Sequence, residues 1–223
     1  MHRDKELESA GRSIYVVSEK ENKMSSIDKD GMLISPKVIQ NRFAHLEHGD
    51  LMAIHGIVIH QTDSADAQSV FRSYCKSANG GHFLIAKSGL IYQTASLKKR
   101  CFHVGRLIKS KCLEISKGNC KDQNLAKISV MGWTRRIKAI DGIERQKKYP
   151  DRYPVNSDSI GVEIVGKHIN DRQYEVVNLL QTNSLKWLVG ELYKHFRLDS
   201  DDVYKHPEIS YKNPGEAASA TWQ

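Results

Sequence analysis

Uninterrupted apolar stretches mark the centre of the predicted fold. Residues 56–60 (GIVIH) and 160–165 (IGVEIV) are β-branched runs of the length typical of buried strands. Residues 82–86 and 90–94 are shorter runs on either side of Lys87-Ser88-Gly89, a pattern that predicts a hairpin with its turn at these three residues. A weaker β-prone run lies at residues 13–17. These segments predict a sheet whose strands are largely enclosed.

Helical periodicity appears between and after these strands. Residues 184–196 carry apolar side chains at i, i+3 and i+4 spacing and predict a helix packed on the core, which residues 174–180 extend forward. A shorter helix is predicted at residues 67–75. Ser35-Pro36 is a helix-start signal, with Ile39, Phe43 and Leu46 on one face of the helix that follows. Asn213-Pro214-Gly215-Glu216 predicts a last short helix with a capping box.

Strands mixed with helices in this way predict an α/β fold, with helices layered on a single sheet. We expect residues 1–50 to be an N-terminal extension with a short strand and a helix, and residues 51–223 to be the main domain. Residues 105–158 show weak periodicity and are predicted to be a long insertion in that domain.

The 223-residue length fits one domain that buries a sizeable core without needing disulfides or metal to fold. No run of about 18 apolar residues occurs, so we expect no stable membrane insertion. The N-terminal residues lack the apolar centre of a signal peptide, so we expect synthesis in the cytoplasm. Four cysteines are too few for a disulfide scaffold, and none forms a C-x-x-C pair.

The net charge of +8 is concentrated in one part of the chain. Residues 97–152 contain sixteen Lys/Arg and five Asp/Glu, a net charge of +11, and the remainder carries −3. Such a patch attracts anionic partners, although a solvated surface explains it equally well. It has no interleaved aromatics and the chain has no nucleic-acid-binding motif, so we expect no nucleic acid partner.

Ten histidines are many for this length, and two of them stand where strands end. His60 closes the first buried run, and His206 follows the short apolar run Val203-Tyr204. Glu163 lies inside the second buried run, where a carboxylate is costly unless a partner or a chemical role stabilises it. Strand alternation leaves open that Glu163 instead faces solvent.

Five segments, in order, carry a resemblance to a known family: GIVIHQT, GGHFLIAKSGLIYQTAS, FHVG, NSDSIGVEIVG and KHPEISYKNPGEA. Together, from Ile54 to Glu216, they resemble the zinc-dependent N-acetylmuramoyl-L-alanine amidases, which include phage lysozyme-type amidases and peptidoglycan recognition proteins. The resemblance implies a central mixed β-sheet flanked by helices, and a groove that holds one Zn²⁺. It also implies hydrolysis of the amide between N-acetylmuramic acid and L-alanine in peptidoglycan or muropeptides.

Site roles follow from the same resemblance, position by position. His60 and His206 match zinc ligands. Glu163 matches the acidic residue that serves as general base in the cytosolic and recycling amidases. Lys212, six residues after His206, matches a catalytic lysine whose ammonium stabilises the oxyanion. His103 matches a histidine that lines the groove near the substrate, with a purely structural histidine as the alternative.

The chain departs from the family pattern at two places. Gly81 stands where many members have a tyrosine just before the position of His82, which gives Glu163 more importance. Members usually place Cys or Asp before the proline that here is Pro214, but this chain has Asn213, and a neutral amide is a poor zinc ligand.

Glu216 is the favoured third ligand, with His103 and Asp158 as further candidates. The alternative is that Asn213 and Glu216 only form the capping box. A chain without a third ligand would be a non-catalytic peptidoglycan-binding recognition module.

Peptidoglycan lies outside the cytoplasm, whereas the chain shows no export signal. We therefore expect action in the periplasm or cell wall after phage lysis or type VI secretion, with muropeptide recycling in the cytosol as a third route. The N-terminal pattern and the basic insertion resemble amidases associated with type VI secretion, which implies an antibacterial role and an immunity protein or a secretion carrier as partner. A Cys112–Cys120 disulfide, which would tie down the insertion, and reduced thiols both remain open.

Overall fold

The computed structural model describes residues 25–115, 120–128, 130–170 and 172–223, so the strand predicted at residues 13–17 lies outside the described residues. Ten strands and six α-helices are described in these ranges. The strands are β1 (Ser26–Ile27), β2 (Leu33–Ile34), β3 (Val38–Gln40), β4 (Gly56–Gln61), β5 (Phe83–Ile85), β6 (Ile91–Gln93), β7 (Ser159–Ile164), β8 (His168–Asn170), β9 (Gln173–Tyr174) and β10 (Val203–Lys205). The helices are α1 (Ala67–Tyr74), α2 (Lys111–Ile115), α3 (Gln123–Ile128), α4 (Trp133–Glu144), α5 (Leu179–Phe196) and α6 (His206–Ile209).

Six strands form a mixed sheet in the order β10-β4-β7-β5-β6-β3. The first four run parallel to one another, and β6 returns antiparallel to β5 as the predicted hairpin. Gly89 occupies its turn with a φ of +82°, a conformation that glycine adopts without steric cost. The predicted α/β fold with a central mixed sheet is confirmed.

The two faces of the sheet differ because side chains alternate along each strand. Ile57, Ile59, Ile160 and Val162 pack with Phe83 against one face of α5, and all of them are buried. Each such side chain contributes roughly 1.5–3 kcal/mol when it is fully buried. The intervening residues of β4 and β7 point to the opposite face, and they include the two ionisable side chains His60 and Glu163.

Local signals outside the core predicted some elements well and others poorly. Helix α1 matches the prediction for residues 67–75 closely. Helix α5 contains the predicted residues 184–196 but begins at Leu179, where the Asn178 side chain caps it. The forward extension therefore reaches Leu179 and not Tyr174, which belongs to β9.

The helix predicted after Ser35-Pro36 is wrong. Residues Val38–Gln40 form β3, which pairs with β6, and only a 3-10 turn follows at Ala44–Leu46. The edge of β6 offers backbone hydrogen bonds to a β-branched segment, and these outweigh a local helix signal. The last short helix is also wrong, because the backbone after Asn213 forms successive turns instead.

The basic insertion is more ordered than its weak periodicity predicts. It contains α2, α3 and α4, which share a small apolar cluster built on Leu125, Ile128 and Ile140. A Cys112–Cys120 disulfide joins two parts of this segment. The division of the chain at residue 50 stays a prediction, although β3 already belongs to the central sheet. None of the described helices is both long and apolar enough to cross a membrane.

Candidate metal and catalytic site

Three parallel neighbours, β10, β4 and β7, end at the same edge of the sheet. His60 lies opposite Glu163 in the register of β4 and β7. Lys205, opposite Ile59, ends β10, so the next residue, His206, lies beside His60. The carboxyl edge of parallel strands is where α/β sheets bind ligands, because loops leave an opening there.

His60, His206 and Glu216 converge at this edge, and all three are buried. The Nδ1 atoms of the two histidines lie 2.9 Å apart. The Glu216 Oε1 atom lies 3.0 Å from His206 Nδ1 and 3.3 Å from His60 Nδ1. Tetrahedral Zn²⁺ with bonds of about 2.0–2.1 Å separates its ligand atoms by about 3.4 Å, so this group has the chemistry and nearly the spacing of a zinc site.

Neighbouring hydrogen bonds indicate which of the two ring nitrogens of His60 carries the proton. The Ser159 carbonyl oxygen can only accept, and it lies 3.3 Å from His103 Nε2, which must therefore carry a proton. His103 Nδ1 is then an acceptor, and His60 Nε2 donates to it at 3.1 Å. The remaining lone pair of His60, on Nδ1, faces His206 and Glu216. A partner on the far nitrogen of a metal-binding histidine orients the ring in this manner.

The pKa values of the metal-free chain agree with this tautomer. Burial, with a smaller contribution from the neighbouring His206, lowers the pKa of His60 to about 4. His60 is therefore neutral at physiological pH, as a metal ligand must be. Burial alone would raise the pKa of Glu216, but the hydrogen bond with His206 brings it below its ordinary range.

Turns after Asn213 decide the orientation of Glu216. The Asn213 side chain accepts a hydrogen bond from the Gly215 backbone and contacts His168 Nε2 at 3.0 Å. A Cβ at Gly215 would lie 2.4 Å from the Arg172 carbonyl oxygen, so only glycine permits this turn. The Glu216 carboxylate consequently faces the two histidines, and the capping box predicted with Asn213 does not form.

The other two candidate ligands have different partners. His103 uses Nδ1 on His60, so it supports that ring from behind. Asp158 forms an ion pair with Arg152 at 2.6 Å and accepts from the Val155 backbone. Asp158 therefore anchors the loop before β7 and is not part of the histidine group.

A cavity of about 310 Å³ opens beside these residues, with Glu163 and Lys212 in its wall. Glu163 is half-buried, and its carboxylate faces this cavity, which excludes the solvent-facing alternative. Burial, with a smaller contribution from the Glu216 carboxylate, raises the pKa of Glu163 to about 8, and Lys212 opposes this rise. Such a carboxyl group is suited to exchanging protons near neutral pH. Lys212 is exposed, and none of the ion pairs in the described ranges includes it.

Tyr74 is a cavity residue that the sequence analysis missed. It ends α1, is 5% exposed, and its hydroxyl has no hydrogen-bond partner in the described part of the chain. A Cβ at Gly80 would lie 2.6 Å from the Tyr74 ring, and one at Gly81 would lie 3.2 Å from Glu163 Cγ. The consecutive glycines Gly80 and Gly81 are the sequence signal that could have indicated this cavity, because their missing side chains leave room for Tyr74 and Glu163.

The model of the N-acetylmuramoyl-L-alanine amidase family matches residues 50–220 of the chain. The chain belongs to this family. The amidase match covers the Ile54–Glu216 segment identified from the motifs, so the assignment to the N-acetylmuramoyl-L-alanine amidases is confirmed. This amidase is therefore a hydrolase that acts on peptidoglycan.

The solved structure of AmpD agrees with the fold of the amidase. AmpD, solved as a selenomethionine derivative, is 16% identical and has a TM-score of 0.52, with 86% of this chain and 93% of that chain covered. The amidase LysC from Clostridium intestinale is 18% identical, with a TM-score of 0.46 and coverage of 81% and 90%. AmpDh3 from Pseudomonas aeruginosa, in complex with an anhydromuramic pentapeptide, is 16% identical, with a TM-score of 0.46 and coverage of 82% and 58%. No curated protein sequence matches the chain.

Proposed function

We propose that the amidase is zinc-dependent and that His60, His206 and Glu216 hold the ion. The observation that carries this proposal is the convergence of two imidazole nitrogens and one carboxylate oxygen within 3.3 Å of one another. Three protein ligands of this kind and an adjacent cavity are the composition of a catalytic zinc site, in which one position remains for water.

Bound zinc supplies an activated water molecule and polarises the scissile carbonyl group. Glu163, in its ionised form, accepts the proton of the attacking water on a carboxylate oxygen. The same group then returns the proton to the departing amine of L-alanine. The Lys212 ammonium, at the cavity wall, stabilises the negative charge on the carbonyl oxygen. Tyr74, whose hydroxyl has no other described partner, is placed to donate to the bound substrate.

A recognition module that only binds the wall is the second candidate function. It rested on the missing third ligand before Pro214. The position of Glu216 beside both histidines favours the enzyme over the module, because it supplies the carboxylate that the motif lacks.

Products from purified sacculi test the proposed reaction directly. Digestion by the zinc-loaded protein is expected to release intact peptides with L-alanine at their amino ends and glycan strands with free lactyl carboxylates. Mass analysis of both fractions checks this result, and dialysis against a chelator should remove the activity until zinc is restored. Binding to sacculi without either product would instead support the recognition module.

His103 is proposed to act through His60, in addition to lining the cavity. In His103→Ala, the His60 Nε2 hydrogen bond is lost, so zinc affinity is expected to fall about 10–100-fold. Competition with a chromogenic chelator measures this affinity. His55→Ala is the control, since His55 precedes the opposite end of β4 from His60 and its ring stacks on Tyr149. Equal zinc affinity in wild type and His103→Ala would contradict the orienting role.

We further propose an antibacterial or lytic role outside the cytoplasm, with delivery by type VI secretion or phage lysis. The basic insertion supports a role at the cell wall, since its surplus of cations attracts a carboxylate-rich polymer. Expression in a Gram-negative bacterium with and without a periplasmic leader tests this role. Lysis only with the leader is expected, and equal tolerance of both forms would contradict it. An immunity protein or a secretion carrier is the partner that this role implies.

A further inference from the structure

A second, smaller cavity of about 230 Å³ lies in the basic insertion, away from the histidines. Its floor consists of apolar side chains from α2, α3 and α4, namely Leu113, Ile128 and Ile140. Ser110 is in its wall, and only 1% of this residue is exposed. The Ser110 hydroxyl has no hydrogen-bond partner in the described ranges, which is a cost that a bound acceptor would remove. The cavity is below the about 300–1,000 Å³ typical of sites for drug-sized ligands, so it suits one small group.

Two aromatic side chains form an exposed platform at this cavity. Trp133, which lines the cavity, is 52% exposed, and Tyr211 is 60% exposed. Their ring centroids lie 6.2 Å apart in an edge-to-face arrangement. The Arg136 guanidinium lies 5.0 Å from the Trp133 centroid, within cation–π distance of this indole ring. Large aromatic groups left in water at a cavity mouth are typical of a binding site.

The chemistry of the cavity lining fits an N-acetylated sugar. Lys109 is paired with Glu114 at 3.2 Å, and the Arg136 guanidinium stays charged while it contacts the indole ring. A sugar ring presents an apolar C–H face to an aromatic ring. An N-acetyl group presents a methyl that fits an apolar floor and a carbonyl oxygen that accepts from a hydroxyl. The C–H face of the sugar thus matches the aromatic platform, the methyl group matches the apolar floor, and the carbonyl oxygen matches the Ser110 hydroxyl.

The platform is adjacent to the catalytic cavity along the chain. Tyr211 directly precedes Lys212, which lies in the catalytic cavity wall. Backbone hydrogen bonds from Ile108 to Ile209 and from Tyr211 to Arg106 fasten the insertion to this segment. A glycan strand bound at the platform therefore lies near the loop that carries Lys212 of the catalytic cavity.

We propose that Trp133, Tyr211 and Ser110 form a subsite for an N-acetylated aminosugar unit of the glycan strand, outside the reacting unit. This inference rests on the proposed function only in that the substrate is peptidoglycan. The subsite explains why the insertion is folded against the loop that carries Lys212. It holds the polymer while the amide is cleaved next to it.

Binding of an N-acetylglucosamine tetramer tests the subsite independently of catalysis, since this probe contains no lactyl–alanine amide. With the full-length zinc-loaded protein, titration is expected to quench Trp fluorescence, and calorimetry gives the Kd. Trp133→Ala is expected to weaken binding about ten-fold, Ser110→Ala several-fold, and Trp133→Phe less than Trp133→Ala. Leu179→Ala is the control, because Leu179 is a 73% exposed apolar residue on α5.

Kinetics on two substrates supply a second readout. Trp133→Ala is expected to raise KM on sacculi with little change in kcat, and to leave kcat/KM on a soluble muramoyl-peptide monomer unchanged. Absence of tetramer binding by the wild type, or equal binding by Trp133→Ala, would overturn the subsite. So would preferential binding of an apolar peptide, which would make the platform a protein-docking surface. Each of these results leaves the digestion products, and hence the proposed function, unaffected.

Discussion

Glu163→Gln is expected to lower kcat by about 100- to 10,000-fold while zinc remains bound, because the amide cannot accept the proton of the attacking water. The measurement combines turnover of a muramoyl-peptide with metal analysis of the purified variant. Glu191→Gln is the matched control, since this buried carboxylate lies on α5 with Ser25 and Lys194 as its partners. Near-normal turnover in Glu163→Gln would remove Glu163 from the role of base.

The same variant has a predicted effect on stability that shows whether it is correctly folded. In the metal-free chain the pKa of Glu163 is raised from 4.5 to about 8. Between these values the unfolded chain releases the proton and the folded chain retains it, so the wild type loses stability as the pH rises. Glu163→Gln has no carboxyl group at this position, so it does not lose stability in this way. The melting temperature of the variant minus that of the wild type, both measured in the presence of a chelator, should therefore increase from pH 5 to pH 8.

Glu216→Gln is expected to abolish stoichiometric zinc binding and, with it, activity. The substitution preserves the size of the side chain but replaces an anionic ligand by a neutral amide. The loss of zinc affinity should exceed the about 10–100-fold typical of residues that only orient ligands. Metal analysis after gel filtration and titration with a chelator measure it.

Asn213→Ala is the control for Glu216, because Asn213 stands where the family usually places its third ligand. Its amide contacts His168 and the Gly215 backbone and so acts on the turn and not on the ion, and zinc affinity should fall far less in Asn213→Ala than in Glu216→Gln. Loss of zinc from Asn213→Ala together with retention in Glu216→Gln would reverse the assignment of the third ligand.

Most of the sheet was predictable because its signals are local. The β-branched runs of β4 and β7, the turn at Gly89 and the periodicity of α5 each lie within a short segment. Predictions were wrong where a local signal competed with a distant partner. Ser35-Pro36 signals a helix, but residues 38–40 add to the edge of β6 instead. The capping pattern at Asn213 was replaced by turns that direct Glu216 inwards.

The sequence by itself determined the family, the central sheet and the residue types available for catalysis. Ordered motifs and strand periodicity can be recognised from residues that are close in sequence, without information on distant contacts. The tertiary structure alone decided which face of β7 presents Glu163, which carboxylate joins His60 and His206, and that Tyr74 enters the cavity. Each of these depends on the register of parallel strands and on loops that meet across more than a hundred residues. Spacing in the sequence carries no information about such distances.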